Sequence, residues 1–123
     1  MSRTATIRIE RDTQSALRRG ARQFERAWRT GKYQGSDFTF ESPAALFRSL
    51  TPARWAAIEL LQALGPSTLR GLARALDRDV KSVHRDIHAL IKIGLVTKDS
   101  KGNVLVPFAR IRTEFELLPR QAA

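Results

Sequence analysis

One segment, residues 79–94, constrains the fold of this chain most strongly, because it reads as a complete helix with both ends marked. Asp79 offers a short acceptor side chain to the free amides of a first helical turn, and Gly94 suits the left-handed position that ends many helices. Between them, apolar residues recur at helical spacing and form one stripe, namely Val80, Val83, Ile87, Leu90 and Ile91. We therefore predict an amphipathic helix with this stripe buried.

The opposite side of the same helix is basic and polar. At about 100° per residue, the side chains that project away from the stripe are Lys81, Arg85, His88 and Lys92, with Ser82 and Ala89 beside them. A helix with an apolar back and a cationic front has the shape that enters a DNA major groove. An ordinary solvated surface helix would show the same pattern. The segments on either side of the helix therefore have to distinguish a DNA-recognition helix from a surface helix.

Three predicted helices precede this segment. Ser42-Pro43 and Thr51-Pro52 each place a cap residue before a proline, and they start helices at 44–50 and from residue 52 to about residue 64. Gly65-Pro66 ends the second helix, and Ser67-Thr68 caps a third at 69–76. The turn 77–79 is as short as a helix–turn–helix requires.

A hairpin is predicted after the basic helix, because β-rich runs at 95–98 and 104–106 flank a polar turn that contains glycine. Residues 111–118 are a further strand or edge segment. Residues 4–10 alternate as a short strand, and Asp12 starts a helix to about residue 30. Residues 31–35 read as a linker, and 37–41 as a short strand or an extended arm.

The fold class expected from this order is α+β, mainly α: a winged helix-turn-helix with an N-terminal strand-plus-helix extension. We divide the chain into a basic extension at 1–35, expected to dimerise, and a winged helix-turn-helix domain at 36–123.

The charge of the chain points to a polyanionic partner. It carries 22 basic and 12 acidic residues, a net charge of +10, and no cysteine. Residues 1–35 alone hold nine basic and three acidic residues, a net charge of +6. Such an excess favours nucleic acid or an acidic protein surface, whereas the plain alternative is solubility. No apolar run is long enough to span a membrane and no signal-peptide core is present, so we expect a cytoplasmic protein without a membrane partner.

Catalytic and metal-binding patterns are weak. His84-Arg85-Asp86 imitates a kinase catalytic-loop tripeptide, but no glycine-rich loop accompanies it. His84 and His88 have a spacing that can hold zinc, yet cysteine and a third histidine are lacking. We expect no enzyme, no metal and no cofactor. Phe38 and Phe40 alone give little support to an RNA-stacking surface.

Five stretches carry a family resemblance: Phe40-Glu41-Ser42-Pro43 with Leu46-Phe47, Leu50-Thr51-Pro52-Ala53-Arg54-Trp55, Leu69-Arg70-Gly71-Leu72-Ala73-Arg74, Arg78-Asp79-Val80-Lys81-Ser82-Val83-His84-Arg85-Asp86 and Gly94-Leu95-Val96. Over roughly residues 38–115 the chain resembles small prokaryotic predicted transcriptional regulators. Such proteins are similar to MarR- and ArsR-type winged helices, and some are encoded beside small toxin-like proteins. The resemblance implies DNA binding as a dimer and, more remotely, an antitoxin role.

These readings assign residues to three surfaces. Base edges should meet Lys81, Ser82 and Arg85. Phosphates should meet Ser67, Thr68, Arg70, Arg78, His88, Lys98, Lys101 and Asn103. Dimerisation should use Ile7, Ile9, Leu17, Phe24 and Trp28, unless the N-terminal helix packs back on its own domain through Trp28.

The expected function is a sequence-specific double-stranded DNA-binding transcriptional regulator, a repressor that acts as a homodimer on a palindromic operator. The alternative is an antitoxin-type protein that neutralises an acidic, toxin-like partner and regulates its own operon.

Overall fold

The computed structural model describes residues 3–10 and 36–119 as four helices and five short strands. The helices are α1 (Pro43–Ser49), α2 (Pro52–Leu64), α3 (Leu69–Leu76) and α4 (Val80–Ile93). The strands are β1 (Thr4–Ile9), β2 (Ser36–Phe40), β3 (Thr97–Lys98), β4 (Val104–Leu105) and β5 (Arg110–Glu114). An α+β fold with four helices and a small sheet is therefore confirmed. The helix predicted at 12–30 and the linker at 31–35 lie outside the described residues.

Every described helix begins where its capping residue predicts. The hydroxyl oxygens of Ser42, Thr51 and Thr68 accept hydrogen bonds from the amides three residues later, at 3.1, 3.3 and 3.0 Å. Asp79 caps α4 in the same way, and Gly94 ends α4 with φ of 105°. The short acceptor side chains satisfy amides that have no partner within the helix. The predicted helix boundaries are confirmed to within a residue.

The predicted strand at 4–10 lies at the centre of a parallel sheet with the strand order β2-β1-β5. Ile7 is level with Phe38 on one side and with Thr113 on the other. Ala5 and Ile7 have no exposed surface, and Ile9 packs against the same core. Ile7 therefore has no exposed surface left for the predicted dimer interface, whereas Ile9 is half-buried and keeps part of its surface exposed. The other three residues of that set, Leu17, Phe24 and Trp28, lie outside the described residues.

The position of β1 also links the two sides of the predicted division at residue 35. β1 belongs to the same sheet as strands from 36–123, so the strand part of the extension is no separate unit. Sequence pattern identified each strand, but nothing local connects the two ends of the chain.

A single hydrophobic core joins the sheet to the helices. Buried side chains come from every helix, including Leu46, Ile58, Leu61, Leu72, Val83, Ile87 and Leu90. Phe38 of β2 meets Phe108 edge to face, with ring centroids 5.7 Å apart, and it also lies against Gly94. Of the stripe predicted for α4, Val83, Ile87 and Leu90 are buried and Ile91 is half-buried, whereas Val80 is 43% exposed in the first turn.

The predicted hairpin is confirmed as β3 and β4, with Thr97 opposite Leu105 and Lys98 opposite Val104. Asp99 organises its turn, because its carboxylate accepts the amides of Lys101 and Asn103, each at 2.9 Å. The hairpin is fastened to the loop before α3 by two 2.9 Å backbone hydrogen bonds between Ser67 and Val104. These two bonds fix the position of the hairpin relative to the start of helix α3.

Candidate nucleic-acid interface

Helices α3 and α4 are joined by a tight turn that sets their crossing. Asp77 ends α3 in the left-handed conformation, with φ of 54°, and its amide donates to the carbonyl of Arg74 at 3.1 Å. The Arg78 amide donates to the Ala73 carbonyl at 3.0 Å. Ala73 is only 2% exposed, and its small side chain belongs to the same core as the apolar side of α4. The polar side of α4 is left outward.

The outward side of α4 is a row of exposed cationic and imidazole side chains: Lys81, His84, Arg85, His88 and Lys92. The rings of His84 and His88 stack with centroids 6.0 Å apart and planes inclined by 19°. His84, which was not among the residues predicted to project from this side, is exposed with them. The row spans most of the helix, so it forms a continuous basic ridge.

Ser82, predicted to contact bases, forms a hydrogen bond to the residue that caps α4. Its hydroxyl donates to the carboxylate of Asp79, which also accepts the Lys81 amide at 2.9 Å. These contacts, the Ser82 hydroxyl above all, lower the pKa of the Asp79 carboxyl below its usual range. Ser82 is half-buried. Because its hydroxyl hydrogen is donated to Asp79, Ser82 can only accept a hydrogen bond from a ligand.

A buried ion-pair network fixes α4 against the rest of the fold. Asp86, 9% exposed, accepts from Arg54 Nε at 3.0 Å and from Arg78 Nη2 at 2.8 Å. Arg54 Nη1 also donates to the carbonyl of Ser49 at 2.8 Å. One carboxylate thus connects the end of α1, helix α2, the α3–α4 turn and helix α4.

This network gives Arg78, predicted to contact a DNA phosphate, a partner within the fold. Arg78 Nη2 is bound to Asp86, and Nη1 is buried without a hydrogen-bond partner among the described residues. Sequence reasoning missed Arg54 and Asp86. The available signal was Asp86 itself, because it lies between Val83 and Leu90 on the apolar stripe, where a charge has to find a partner.

A positively charged cavity of about 420 Å³ opens beside the start of α4. It is lined by Arg70, Ala73, Arg74, Arg78 and Val80. Arg70 was predicted to contact phosphate, and its exposed position on α3 permits this. Arg74, one turn further along α3, was not predicted and adds a second exposed guanidinium.

Some of the remaining residues predicted to contact phosphate are exposed, and others form hydrogen bonds within the fold. Lys98 and Lys101 are exposed on the hairpin, and Thr68 is exposed at the start of α3. Asn103 is half-buried, and its backbone N–H donates to the Asp99 carboxylate. Ser67 is used structurally, because its hydroxyl donates to the Gly65 carbonyl at 2.9 Å and its backbone pairs with Val104. The assignment of Ser67 to phosphate binding is therefore weakened.

Neither a metal site nor a membrane span is present in the described part of the chain. Within residues 3–10 and 36–119, no group of three or more His, Cys, Asp or Glu side chains could hold a metal ion. No helix in the same residues is long and apolar enough to cross a membrane.

Comparison with known proteins places the chain in one family. No curated protein and no solved structure matches it. The profile of the HVO_A0114 family matches residues 49–113, which run from the end of α1 through β5 and make up more than half of the chain. The match contains the whole surface formed by α3, α4 and the hairpin, and this chain belongs to the HVO_A0114 family.

Proposed function

We propose that this chain is a sequence-specific regulator of transcription that binds double-stranded DNA as a winged helix-turn-helix. In this proposal α3 and α4 form the helix–turn–helix, α4 is the recognition helix, and the β3–β4 hairpin is the wing. The likeness to MarR- and ArsR-type proteins, the homodimer on a palindromic operator and a cytoplasmic location belong to the same proposal. A repressor is the simplest form, because a bound dimer can block polymerase without further contacts.

The exposed basic ridge of α4 is the observation that carries the proposal. The major groove is about 12 Å wide and admits one α-helix. The apolar side of α4 is fully occupied by the core, with Val83, Ile87 and Leu90 at most 1% exposed. The opposite side presents Lys81 and Arg85 one turn apart. Their long cationic side chains can reach guanine edges, and Arg85 can do so with two parallel hydrogen bonds.

Phosphate contacts would surround this helix. Arg70 and Arg74 flank its start, and Lys98 and Lys101 lie on the hairpin that follows it. Thr68, His88 and Asn103 complete the proposed set. Cations at both ends of a recognition helix fix its register on the duplex without reading sequence.

Selection of DNA fragments by the purified protein, followed by affinity measurement, tests the proposal. Arg85→Ala should cost about 1–3 kcal/mol on the selected site and relax preference at one base position. The matched control is Arg48→Ala, which removes an exposed arginine from α1, outside the α3–α4 surface. We expect the control to bind as the unaltered protein does.

Two outcomes would contradict these assignments. If no sequence is enriched by the selection, the chain is not a sequence-specific regulator. If Arg85→Ala weakens selected and random DNA equally, Arg85 contacts the backbone and α4 does not read bases through it.

The antitoxin alternative depends on the arginine-rich part of residues 1–35. Most of that part, residues 11–35, lies outside the described residues. No observation on the described residues favours it, so DNA binding is the function we propose.

A further inference from the structure

The outer edge of β5 is open for pairing. β5 is the last strand in the order β2-β1-β5, and within the described residues no strand pairs with its second edge. The Arg110 amide donates to the Arg3 carbonyl beside β1, at 3.2 Å. Because peptide groups of successive residues alternate in direction along a strand, those of Ile111 and Thr113 point to the open edge. Such an edge is a template for another strand.

The sequence of this segment is complementary to itself in the antiparallel direction. Residues 110–116 read Arg-Ile-Arg-Thr-Glu-Phe-Glu. With Thr113 placed opposite Thr113 of a second chain, Arg112 faces Glu114, Ile111 faces Phe115, and Arg110 faces Glu116. Around the central threonine pair, each opposed pair is then either oppositely charged or apolar, and such cross-strand pairs stabilise a sheet.

The exposure of these residues fits the same register. Arg110, Arg112, Thr113, Glu114 and Glu116 are exposed, and Phe115 is 39% exposed. Ile111 lies level with the buried Ala5 on the core side of the sheet, and Arg110, Arg112 and Glu114 belong to the other side. β5 ends at Glu114, and continuing its alternation by two residues would place Phe115 on the core side and Glu116 on the charged side. Pairing would therefore extend the core with Phe115 and place the charges in one ladder.

Charged residues on an edge strand often serve to prevent pairing. Charges of one sign repel every copy of the same edge. Here two arginines are followed by two glutamates, so an antiparallel copy is attracted. The edge also has an acidic end, where Glu10, Glu114 and Glu116 line a cavity of about 510 Å³ with Arg8. A second chain would bring its Arg110 and Arg112 to that end.

We propose that two copies of this chain pair through β5 about a two-fold axis at Thr113, so that two three-stranded sheets become one of six strands. Three residues of each chain, Ile111, Thr113 and Phe115, form the hydrogen-bonded pairs. Arg112 and Glu114 lie in the closer, non-hydrogen-bonded pairs, which favours their ion pair. This interface replaces the one predicted for Ile7 and Ile9, and it does not depend on the proposed DNA binding.

Charge reversal at the outer pair, Arg110 opposite Glu116 of the second chain, tests the proposal. The test uses the full chain and no DNA. Arg110→Glu opposes two glutamates at each end of the interface, and Glu116→Arg opposes two arginines. Each variant alone should self-associate about tenfold more weakly than the unaltered protein in sedimentation equilibrium, since two attractive pairs per dimer become repulsive. Mixed together, the two variants should recover association as a heterodimer, because every outer pair is then again of opposite sign.

Thr113→Pro is the matched backbone test. It removes an amide that points to the open edge, and proline is tolerated at such positions, so the sheet of each chain should persist while association is lost. Circular dichroism checks that all three variants are folded. A monomeric unaltered protein overturns the proposal, and so does a mixture of the two charge variants that associates no better than each variant alone.

Discussion

At the scale of single residues, Asp86 links α4 to α2 and to the α3–α4 turn through two ion pairs. It accepts from Arg54 at 3.0 Å and from Arg78 at 2.8 Å, and all three side chains are less than one third exposed. A charge taken out of water needs such partners. The second of these bonds keeps Arg78 beside Asp86, so a residue that looks like a DNA contact in the sequence also has a structural role.

We predict that Asp86→Ala lowers the free energy of unfolding by about 3–5 kcal/mol, because it leaves two guanidinium groups without their acceptor. Urea unfolding measures this loss. The matched control is Glu59→Ala, which removes an exposed carboxylate from α2 and should change stability by no more than about 0.5 kcal/mol.

The ion pair with Arg78 can be isolated by a double-mutant cycle. In an Arg78→Ala background the cost of Asp86→Ala should fall, since one of the two stranded cations is gone. An Asp86→Ala protein as stable as the Glu59→Ala control would mean that the network contributes nothing to the fold.

At the scale of elements, the sequence predicts a helix or hairpin when the residues that determine it lie close together in the chain. The four helices were predicted because Ser42, Thr51, Thr68 and Asp79 each satisfy amides within their own first turn. The hairpin was predicted because its strands are joined by one short turn. The parallel pairing of β1 with β2 and β5 was not, because strands that are far apart in the sequence leave no local pattern that shows which of them pair.

The candidate site follows the same rule. The exposed ridge on α4 was predictable from helical periodicity, since each residue's direction depends only on its place in the helix. The commitments of Arg78 and Ser67 were not predictable, because their partners come from other elements. Sequence pattern therefore predicted the exposed surface of α4. It also assigned to the candidate site side chains that already form hydrogen bonds within the fold.

The hairpin permits a prediction at this scale. Lys101 is exposed in a turn held by Asp99, so its charge projects from a fixed position. If the hairpin contacts the duplex, Lys101→Ala should lower the slope of log K against log salt concentration by about one unit, because one phosphate contact is lost. Titration of selected DNA at several salt concentrations measures the slope.

Arg48→Ala serves again as the control and should leave that slope unchanged. An unchanged slope for Lys101→Ala as well would place the hairpin away from the DNA.

At the scale of the whole molecule, the two proposals combine into a statement about operator symmetry. A dimer formed through β5 has a two-fold axis, so its two α4 helices would meet two half-sites related by the same symmetry. Half-sites about one helical turn, ~34 Å, apart let both helices enter the major groove on one side of the duplex. One subunit alone contacts few base pairs and competes poorly with random DNA.

We therefore predict that the unaltered protein binds a two-half-site fragment ~100-fold or more tightly than a single half-site, because the second contact becomes intramolecular. Arg110→Glu should lose this advantage and keep its half-site affinity, since Arg110 is on β5 and the proposed DNA contacts are on α3, α4 and the hairpin. An equal mixture of Arg110→Glu and Glu116→Arg proteins should regain it. Fluorescence anisotropy on the two fragments measures all three. If Arg110→Glu alone retains the full advantage, the subunits that meet on DNA associate through a surface other than β5.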